Sequence, residues 1–216
     1  MHLVDQTRAG LLDYTCAQVE NLIPDGRNAP LRAHIDAHMD EALSRVGHCI
    51  DAVRMWRPGE FSYLHSSQYC IYLYFLANTI WTHTRDAGAC TRLFLLNKAL
   101  NGIDLFYEIE MPSVFFIGHS VGIVLAKATY GERLVLYQNS TVGKNHGVAP
   151  EVGEGVVMYP NTAIIGRCRI GAGTVISQGT SIVNRNTPGD CIAYPGEAGA
   201  LVFRPSKRDV LGDIFR

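Results

Sequence analysis

The strongest constraint in this 216-residue sequence is a six-residue repeat in its second half. Aliphatic residues recur at every sixth position without exception: Val152, Met158, Ile164, Ile170, Ile176 and Ile182. Four residues after each of them stands a small or medium-sized residue: Val156, Thr162, Cys168, Thr174, Thr180 and Asn186. A period of six matches neither the turn of an α-helix nor the alternation of a strand. It is typical of a solenoid in which each unit forms a short strand and a turn, with three units per triangular coil.

Glycine usage separates this half from the first. Fourteen of the 21 glycines lie between Gly118 and Gly199, and only six precede them. The alternative to a solenoid is a chance regularity in a glycine-rich all-β domain. The unbroken spacing over six units favours the solenoid.

Upstream, the repeat is less regular. Ile117, Ile123 and Thr129 keep the spacing of six but are one residue out of phase, and Leu134 returns to the later phase. We therefore expect a one-residue slip between Thr129 and Leu134. A loop over residues 143–150 is expected to interrupt the regular coils.

The first half of the chain has helical periodicity. From Leu31 onward, apolar residues follow a spacing of three and four: Ile35, Met39, Ala42, Leu43, Val46, Ile50 and Val53. The pattern predicts helices over residues 6–23, 31–53, 67–84 and 87–101. Asp86 is the predicted N-cap of the last helix, and Gly102 is its predicted stop. The predicted fold class is α+β, with a helical domain over 1–101, a β-helix over 102–200 and a tail over 201–216.

Composition argues against several classes of protein. The net charge of −1 gives no electrostatic case for binding nucleic acid or an anionic membrane. Charged residues make up only 18% of the chain, which favours surface buried in an oligomer. The most apolar stretch, residues 69–81, is too short to span a bilayer. Because the six cysteines are scattered singly and residues 1–5 lack signal-peptide features, we expect reduced thiols and a cytoplasmic protein.

Two histidines stand out by their surroundings. His119 lies within the first β-helix coils, and His146 lies in the predicted loop. A histidine has no packing role in a repeat of aliphatic and small residues, so both are candidates for proton transfer. The alternative for each is a satisfied structural histidine. Asp104, fifteen residues before His119, is placed to hydrogen-bond the imidazole from one coil away, the alternative being a turn residue after Gly102.

Two other histidines are poorer candidates. His34 and His38 lie four residues apart on one helix face, but no acidic or third ligand accompanies them in a zinc-binding pattern. We expect both to be solvated.

Together, these features resemble the serine acetyltransferase branch of the left-handed β-helix acyltransferases. The resemblance covers most of the chain and is strongest over residues 97–196. Besides the hexapeptide repeat, it rests on three segments: Gly102-Ile103-Asp104, His119-x-x-Gly122-Ile123-Val124 and Gln138-x-x-Thr141-x-Gly143. The fifteen-residue interval between Asp104 and His119 agrees as well.

The resemblance implies a left-handed β-helix and direct transfer of an acetyl group from acetyl-CoA to a hydroxyl, without a metal. His119, oriented by Asp104, would remove the acceptor proton, and His146 would contact the acceptor or the oxyanion. It also implies a homotrimer with active sites between neighbours, and a dimer of trimers joined by the helical domains. The implied cofactor contacts are Lys144, Pro160 and Gln178. Lys207, in the basic tail, is a candidate contact for the cofactor phosphates.

Two departures from the serine enzymes bear on the acceptor. Gly118 precedes the first histidine, where an acidic residue is common. Asn145 precedes the second, where an arginine commonly holds the acceptor carboxylate. Because charge-assisted hydrogen bonds are the strong ones, we expect a small hydroxylated acceptor other than serine, contacted at Gly118 and Asn145. His65, in the polar and aromatic segment 63–69, is a third candidate contact, the alternative being an ordinary helix start.

Other functions stay open at this point. Serine O-acetyltransferase proper is one, and O- or N-acetylation of a sugar for surface polysaccharide is another. A metal-dependent hydratase would need three converging histidines, and the β region offers only His119 and His146. A non-catalytic assembly module is the last alternative, because a fold by itself does not establish catalysis.

Overall fold

The computed structural model describes residues 1–216, apart from the side chain of Ala29, and divides into two compact units. The helical unit comprises residues 1–102 and 106–108, and the β-helix unit comprises 103–105 and 109–216. The helical unit contains α1 (Arg8–Leu22), α2 (Ala29–Ala52), α3 (Ser66–Thr84) and α4 (Ala87–Asn101), with a small parallel sheet of β1 (His2–Leu3) and β2 (Glu60–Phe61). The predicted α+β fold class and all four predicted helices are confirmed.

Helix α4 begins and ends as its sequence predicts. Asp86 Oδ1 accepts a hydrogen bond from the backbone N–H of Ala89 at 3.1 Å, which satisfies one of the donors at the helix start. Gly102 adopts a left-handed conformation with φ of +62° and stops the helix.

Helix α3 forms the centre of the helical unit. Its residues 67–80 are all buried, as expected for a helix that is apolar on every side. Within the described residues, no helix is long and apolar enough to cross a membrane. The six cysteines are free thiols, and all but Cys16 are buried.

The expectation that His34 and His38 are solvated is wrong. His34 Nε2 lies 3.0 Å from Asp86 Oδ2, so the carboxylate that caps α4 also holds this imidazole. The ring of His38 stacks on that of His83, with centroids 5.0 Å apart. Both partners belong to other segments of the chain, so a reading of helical periodicity within α2 could not find them.

The second unit is a left-handed parallel β-helix of about five turns. Its strands are β3 (Asp104–Leu105), β4 (Phe115–Ile117), β5 (Val124–Leu125), β6 (Thr129–Tyr130), β7 (Leu134–Leu136), β8 (Thr141–Gly143), β9 (Glu151–Val152), β10 (Val157–Met158), β11 (Ala163–Ile165), β12 (Arg169–Ile170), β13 (Val175–Ile176), β14 (Ser181–Val183), β15 (Cys191–Pro195) and β16 (Leu201–Pro205).

These strands form three faces. The β3 face has the order β3-β5-β8-β11-β14, the β4 face has β4-β7-β10-β13-β15-β16, and the β6 face has β6-β9-β12. The last pair, β15 and β16, is antiparallel, and a short helix α5 (Val210–Ile214) follows it. The repeated aliphatic residues lie inside, where Ile164, Ile176 and Ile182 are fully buried.

The strand register confirms the predicted loop. Met158 aligns with Ile176, which stands three units of the repeat further along, as one regular coil requires. Leu136 aligns with Met158, which stands four positions beyond three full units. The coil that contains residues 143–150 is therefore longer than a regular coil, and this loop holds the insertion.

The predicted position of the one-residue slip is wrong. The pair Tyr130 and Val152 has the same offset as the pair Leu136 and Met158, so the chain is regular between Thr129 and Leu134. The slip lies earlier, because Ile117 aligns with Leu136, one position beyond three full units. Tyr130 is therefore the buried residue of β6, and Thr129 is exposed.

Candidate active site

His119 lies at a lengthened corner of the β-helix. We call this the His119 corner: residues 118–123, 137–140, 159–162 and 177–180, where the β4 face turns into the β3 face. The inward residues Ile117 and Leu125 stand eight positions apart, two more than the regular six. The longer turn leaves the His119 side chain exposed, at the end of the coil stack.

Asp104 lies on the strand that adjoins this corner. Its backbone N–H donates to the carbonyl of Ile123 at 2.8 Å, and it aligns with Val124. Leu105 is buried, so the alternation of a strand directs Asp104 outward. The fold thus brings Asp104 to the coil end that carries His119.

His146 lies at the tip of a tight hairpin. The backbone groups of Asn145 and Val148 exchange two hydrogen bonds of 3.0 Å. The two central residues, His146 and Gly147, have positive φ of +47° and +78°, as in a type I′ turn. His146 is exposed, and Asn145 is half-buried beside Gly166 of the next coil.

This hairpin belongs to a different corner. We call it the loop corner: residues 126–128, 144–150, 166–168 and 184–186, where the β3 face turns into the β6 face. His119 and His146 therefore project from opposite edges of the β3 face. Within one chain, the structure does not bring the two predicted catalytic histidines together.

The predicted cofactor contacts are spread over all three corners. Lys144 is exposed on the loop corner. Pro160 and Gln178 follow one another on the His119 corner, where Gly179 N–H donates to the Pro160 carbonyl at 3.1 Å. Lys207 is exposed near the third corner, where the β6 face turns into the β4 face, since the neighbouring Ser206 N–H donates to the Asp190 carbonyl at 3.0 Å.

A pair of tyrosines that the sequence analysis did not single out lies against the glycine that precedes His119. A Cβ on Gly118 would stand 2.6 Å from Cε1 of Tyr137, so the tyrosine ring covers this glycine. The ring also stacks on that of Tyr159, at 5.5 Å between centroids with an interplanar angle of 19°. Gln138 Oε1 is buried without a hydrogen-bond donor among the described residues. Only the register of the two irregular coils reveals this stack.

The loop corner, in contrast, is basic. It carries four cations: Lys127, Lys144, Arg167 and Arg185. Arg169, at the start of the adjoining strand β12, is a fifth. A groove of about 450 Å³ lies there, and Arg167 and Arg169 line it. Arg169 forms an exposed ion pair of 3.1 Å with Glu151. Such a corner suits an anionic ligand.

His65 belongs to the helical unit. It precedes α3, and its ring meets that of Trp56 edge-on at 5.5 Å. Burial lowers the pKa of His65, so the imidazole is mostly neutral at pH 7.

The known proteins that this chain resembles in sequence and in fold are serine acetyltransferases. No protein-family model matches the chain. Serine acetyltransferase 2 of Arabidopsis thaliana is 25% identical over 190 residues, which are 80% of this chain and 58% of that protein. This chain therefore spans less than two thirds of the length of its curated relative.

Solved structures share the fold. A serine acetyltransferase in complex with CoA is 21% identical with a TM-score of 0.70, over 91% of this chain and 85% of that chain. The serine acetyltransferase of Neisseria gonorrhoeae in complex with serine is 16% identical with a TM-score of 0.68, over 91% and 83%.

Proposed function

We propose that this chain, which resembles the serine acetyltransferases in sequence and in fold, transfers the acetyl group of acetyl-CoA to a hydroxyl of a small metabolite. The observation that carries the proposal is the exposed His119 on a lengthened corner of the β-helix, with Asp104 on the adjoining strand. An accessible imidazole can act as a general base, and a carboxylate on the adjoining strand can orient it.

In the proposed reaction, His119 accepts the proton of the acceptor hydroxyl as that oxygen attacks the acetyl carbon. The bond between carbon and sulfur then breaks, and His119 returns the proton to the departing thiolate. Asp104 orients the imidazole and stabilises its protonated form. His146 donates a hydrogen bond to the acceptor or to the oxygen that becomes negatively charged.

The residues present fit acetyl-CoA as the cosubstrate. The phosphates of CoA carry several negative charges. Lys144 and Arg167 provide cations on the loop corner, and Arg169 adds one on the adjoining strand β12. The pantetheine arm is uncharged, and Pro160 and Gln178 provide a neutral surface on the other corner. Lys207 is a further candidate for a phosphate contact.

A site that uses both corners requires two chains. His119, Pro160 and Gln178 lie on the His119 corner, whereas Lys144, Asn145 and His146 lie on the loop corner. We therefore propose a homotrimer in which the His119 corner of one subunit meets the loop corner of the next. The helical domains would join such trimers in pairs, and the assembly would act in the cytoplasm.

The test is acceptor-dependent release of CoA thiol, measured with acetyl-CoA and a panel of hydroxylated acceptors. We expect His119→Ala to lower kcat by about 10²–10⁴-fold. His48→Ala, which removes an exposed histidine from α2, is the matched control and should leave the rate unchanged. Release that survives His119→Ala would rule out this residue as the base.

A further inference from the structure

The turn that carries His119 is supported by one neighbouring coil. We call residues 118–123 the His119 turn. It is the first turn on the His119 corner and is two residues longer than a regular turn, so among the coils only residues 137–140 adjoin it. Within the turn, Ile123 N–H donates to the Ser120 carbonyl at 3.2 Å. A lengthened turn has more backbone freedom than a regular one, so its shape depends on the contacts from that coil.

Tyr137 holds the start of the His119 turn. A Cβ on Gly118 would stand 2.6 Å from Cε1 of Tyr137, so the ring packs directly against this glycine. The ring is itself fixed by stacking on Tyr159 and by an edge contact with Phe116 at 6.3 Å between centroids. Gly118 N–H also donates to the Leu136 carbonyl at 2.9 Å. The residue before His119 therefore has a fixed place against the next coil.

Asn139 holds the far side of the same turn. Its backbone N–H donates to the Val121 carbonyl at 2.9 Å. Its Oδ1 lies against Gly122, where an added Cβ would collide with it, and Gly122 has a positive φ of +76°. The amide is anchored from the following coil, because Asn139 Nδ2 donates to Asn161 Oδ1 at 2.9 Å. An anchored side chain in this place restricts how far the turn can shift.

These two contacts bracket His119. Gly118 and Gly122 lie at the two ends of a short stretch in which the His119 and Val121 side chains are exposed. Within the described residues no hydrogen bond or ion pair reaches the His119 imidazole, so the backbone of the turn sets where the ring meets Asp104 and the acceptor. A general base acts only within hydrogen-bond reach of the proton that it removes. The shape of the turn therefore bears directly on the proposed reaction.

We propose that Tyr137 and Asn139 are positioning residues for His119: the ring against Gly118 and the amide against Gly122 hold the turn in the conformation that presents the imidazole to the acceptor. The inference rests on the proposed acetyl transfer and adds two residues that act through the backbone of the turn. Their loss should lower kcat and leave the KM of acetyl-CoA unchanged, because it displaces the base and not the cosubstrate. A displacement of about 1 Å can cost about 10²-fold in rate.

The first arm of the test compares Asn139→Gly with Asn161→Gly. Both substitutions break the hydrogen bond between the two amides, and glycine keeps the positive φ at each position. Only Asn139→Gly removes the side chain that lies against Gly122. We expect Asn139→Gly to lower kcat by roughly tenfold to a hundredfold and Asn161→Gly to stay within about twofold of the native value. Equal losses in the two variants would make Asn139 a structural residue and overturn its positioning role.

The second arm separates the ring of Tyr137 from its hydroxyl. Tyr137→Leu removes the ring that covers Gly118 and should lower kcat by a similar factor, whereas Tyr137→Phe keeps the ring and should restore most of that loss. Tyr159→Leu, which removes the ring one coil further along, is the matched control. A loss of kcat in Tyr137→Phe as large as that in Tyr137→Leu would assign the effect to the hydroxyl and overturn the positioning role of the ring.

The native protein and His119→Ala distinguish failure of this inference from failure of the proposed reaction. Native kcat in both Tyr137→Leu and Asn139→Gly, with release of thiol still abolished by His119→Ala, would overturn the positioning role and leave acetyl transfer standing. An absence of His119-dependent release in the native protein would remove both. Thermal melting confirms that each variant is folded, and the asparagine pair decides the outcome if Tyr137→Leu does not fold.

Discussion

At the scale of single residues, the contact between Gly118 and the ring of Tyr137 constrains the sequence near the candidate site. The glycine has no side chain because the ring of the next coil fills that space. The two positions are therefore coupled, although a full coil of the chain separates them.

We predict that Gly118→Ala lowers the free energy of unfolding by about 1–3 kcal/mol, because the added methyl group overlaps the tyrosine ring. In a Tyr137→Ala background the same substitution should cost much less, since the ring is absent. Urea unfolding of the four proteins in this double-mutant cycle measures the coupling. Equal costs in both backgrounds would show that Tyr137 does not restrict position 118.

At the scale of secondary-structure elements, the turns of the β-helix depend on residues that tolerate a left-handed backbone. On the His119 corner, four successive coils place Gly122, Asn139, Asn161 and Gly179 at the same turn position, each with positive φ. Asn139 Nδ2 also donates to Asn161 Oδ1 at 2.9 Å, which links neighbouring coils. Asparagine and glycine are the residues that adopt this conformation most readily.

Substitution of Asn161 separates these two contributions. Glycine keeps the backbone conformation and removes only the hydrogen bond from Asn139, whereas alanine also strains the backbone. We expect Asn161→Ala to be about 1–2 kcal/mol less stable than Asn161→Gly in chemical unfolding. Equal stabilities would indicate that the side-chain ladder, rather than the φ angle, governs this turn.

The helices α2 and α3 meet through stacked imidazoles. His38 lies on the ring of His83, and His83 Nε2 is 2.8 Å from Glu41 Oε2. Burial, followed by the positive charge of His83, lowers the pKa of His38, while Glu41 acts in the opposite direction and His34 adds to the lowering. A proton on His38 is therefore bound more weakly in the folded protein than in the unfolded chain.

This difference predicts a pH dependence of stability. Because the unfolded chain binds more protons, the contribution of His38 is complete above the ordinary histidine pKa of about 6.5 and is lost as pH falls through the lower folded value. The free energy of unfolding should decrease between pH 7.5 and pH 5.5. We expect His38→Gln to show a shallower decrease in parallel denaturant titrations. An unchanged slope would place the pH sensitivity elsewhere.

At the scale of the whole molecule, the separation of His119 and His146 on two corners leads to a prediction about assembly. If the site forms between subunits, His119→Ala and His146→Ala each disable every site in a homotrimer. A mixed trimer regains sites in which an intact His119 corner meets an intact loop corner. Unmixing and reassembly of the two variants should restore about a quarter of the sites, given random association.

Activity of the mixture, compared with each variant alone, is the readout, and native mass spectrometry gives the number of subunits. A mixture no more active than its components would place both histidines in a site within one chain, or would exclude His146 from catalysis. The double variant His119→Ala/His146→Ala mixed with native protein is the control, because it supplies no complementing corner.

Much of the fold of this protein could be predicted from its sequence alone. The six-residue period sets the β-helix, because one inward aliphatic residue per strand is the pattern that fills a triangular core. The spacing of three and four sets the helices, and Asp86 and Gly102 set the ends of α4. The resemblance to the serine acetyltransferases, inferred from three short segments, is confirmed by the relative from Arabidopsis thaliana and by the shared fold.

Other features were decided by the tertiary structure. The sequence placed the slip after Thr129, but the register places it before Tyr130, because an inward position is fixed by the coils on both sides and not by spacing alone. The same register sets the ring of Tyr137 over Gly118 and places the His119 corner and the loop corner at opposite edges of the β3 face. Contacts between coils join residues that lie a full coil apart in the chain, and each insertion changes which residues pair after it. The neighbours across coils are therefore known only from the register of the folded chain.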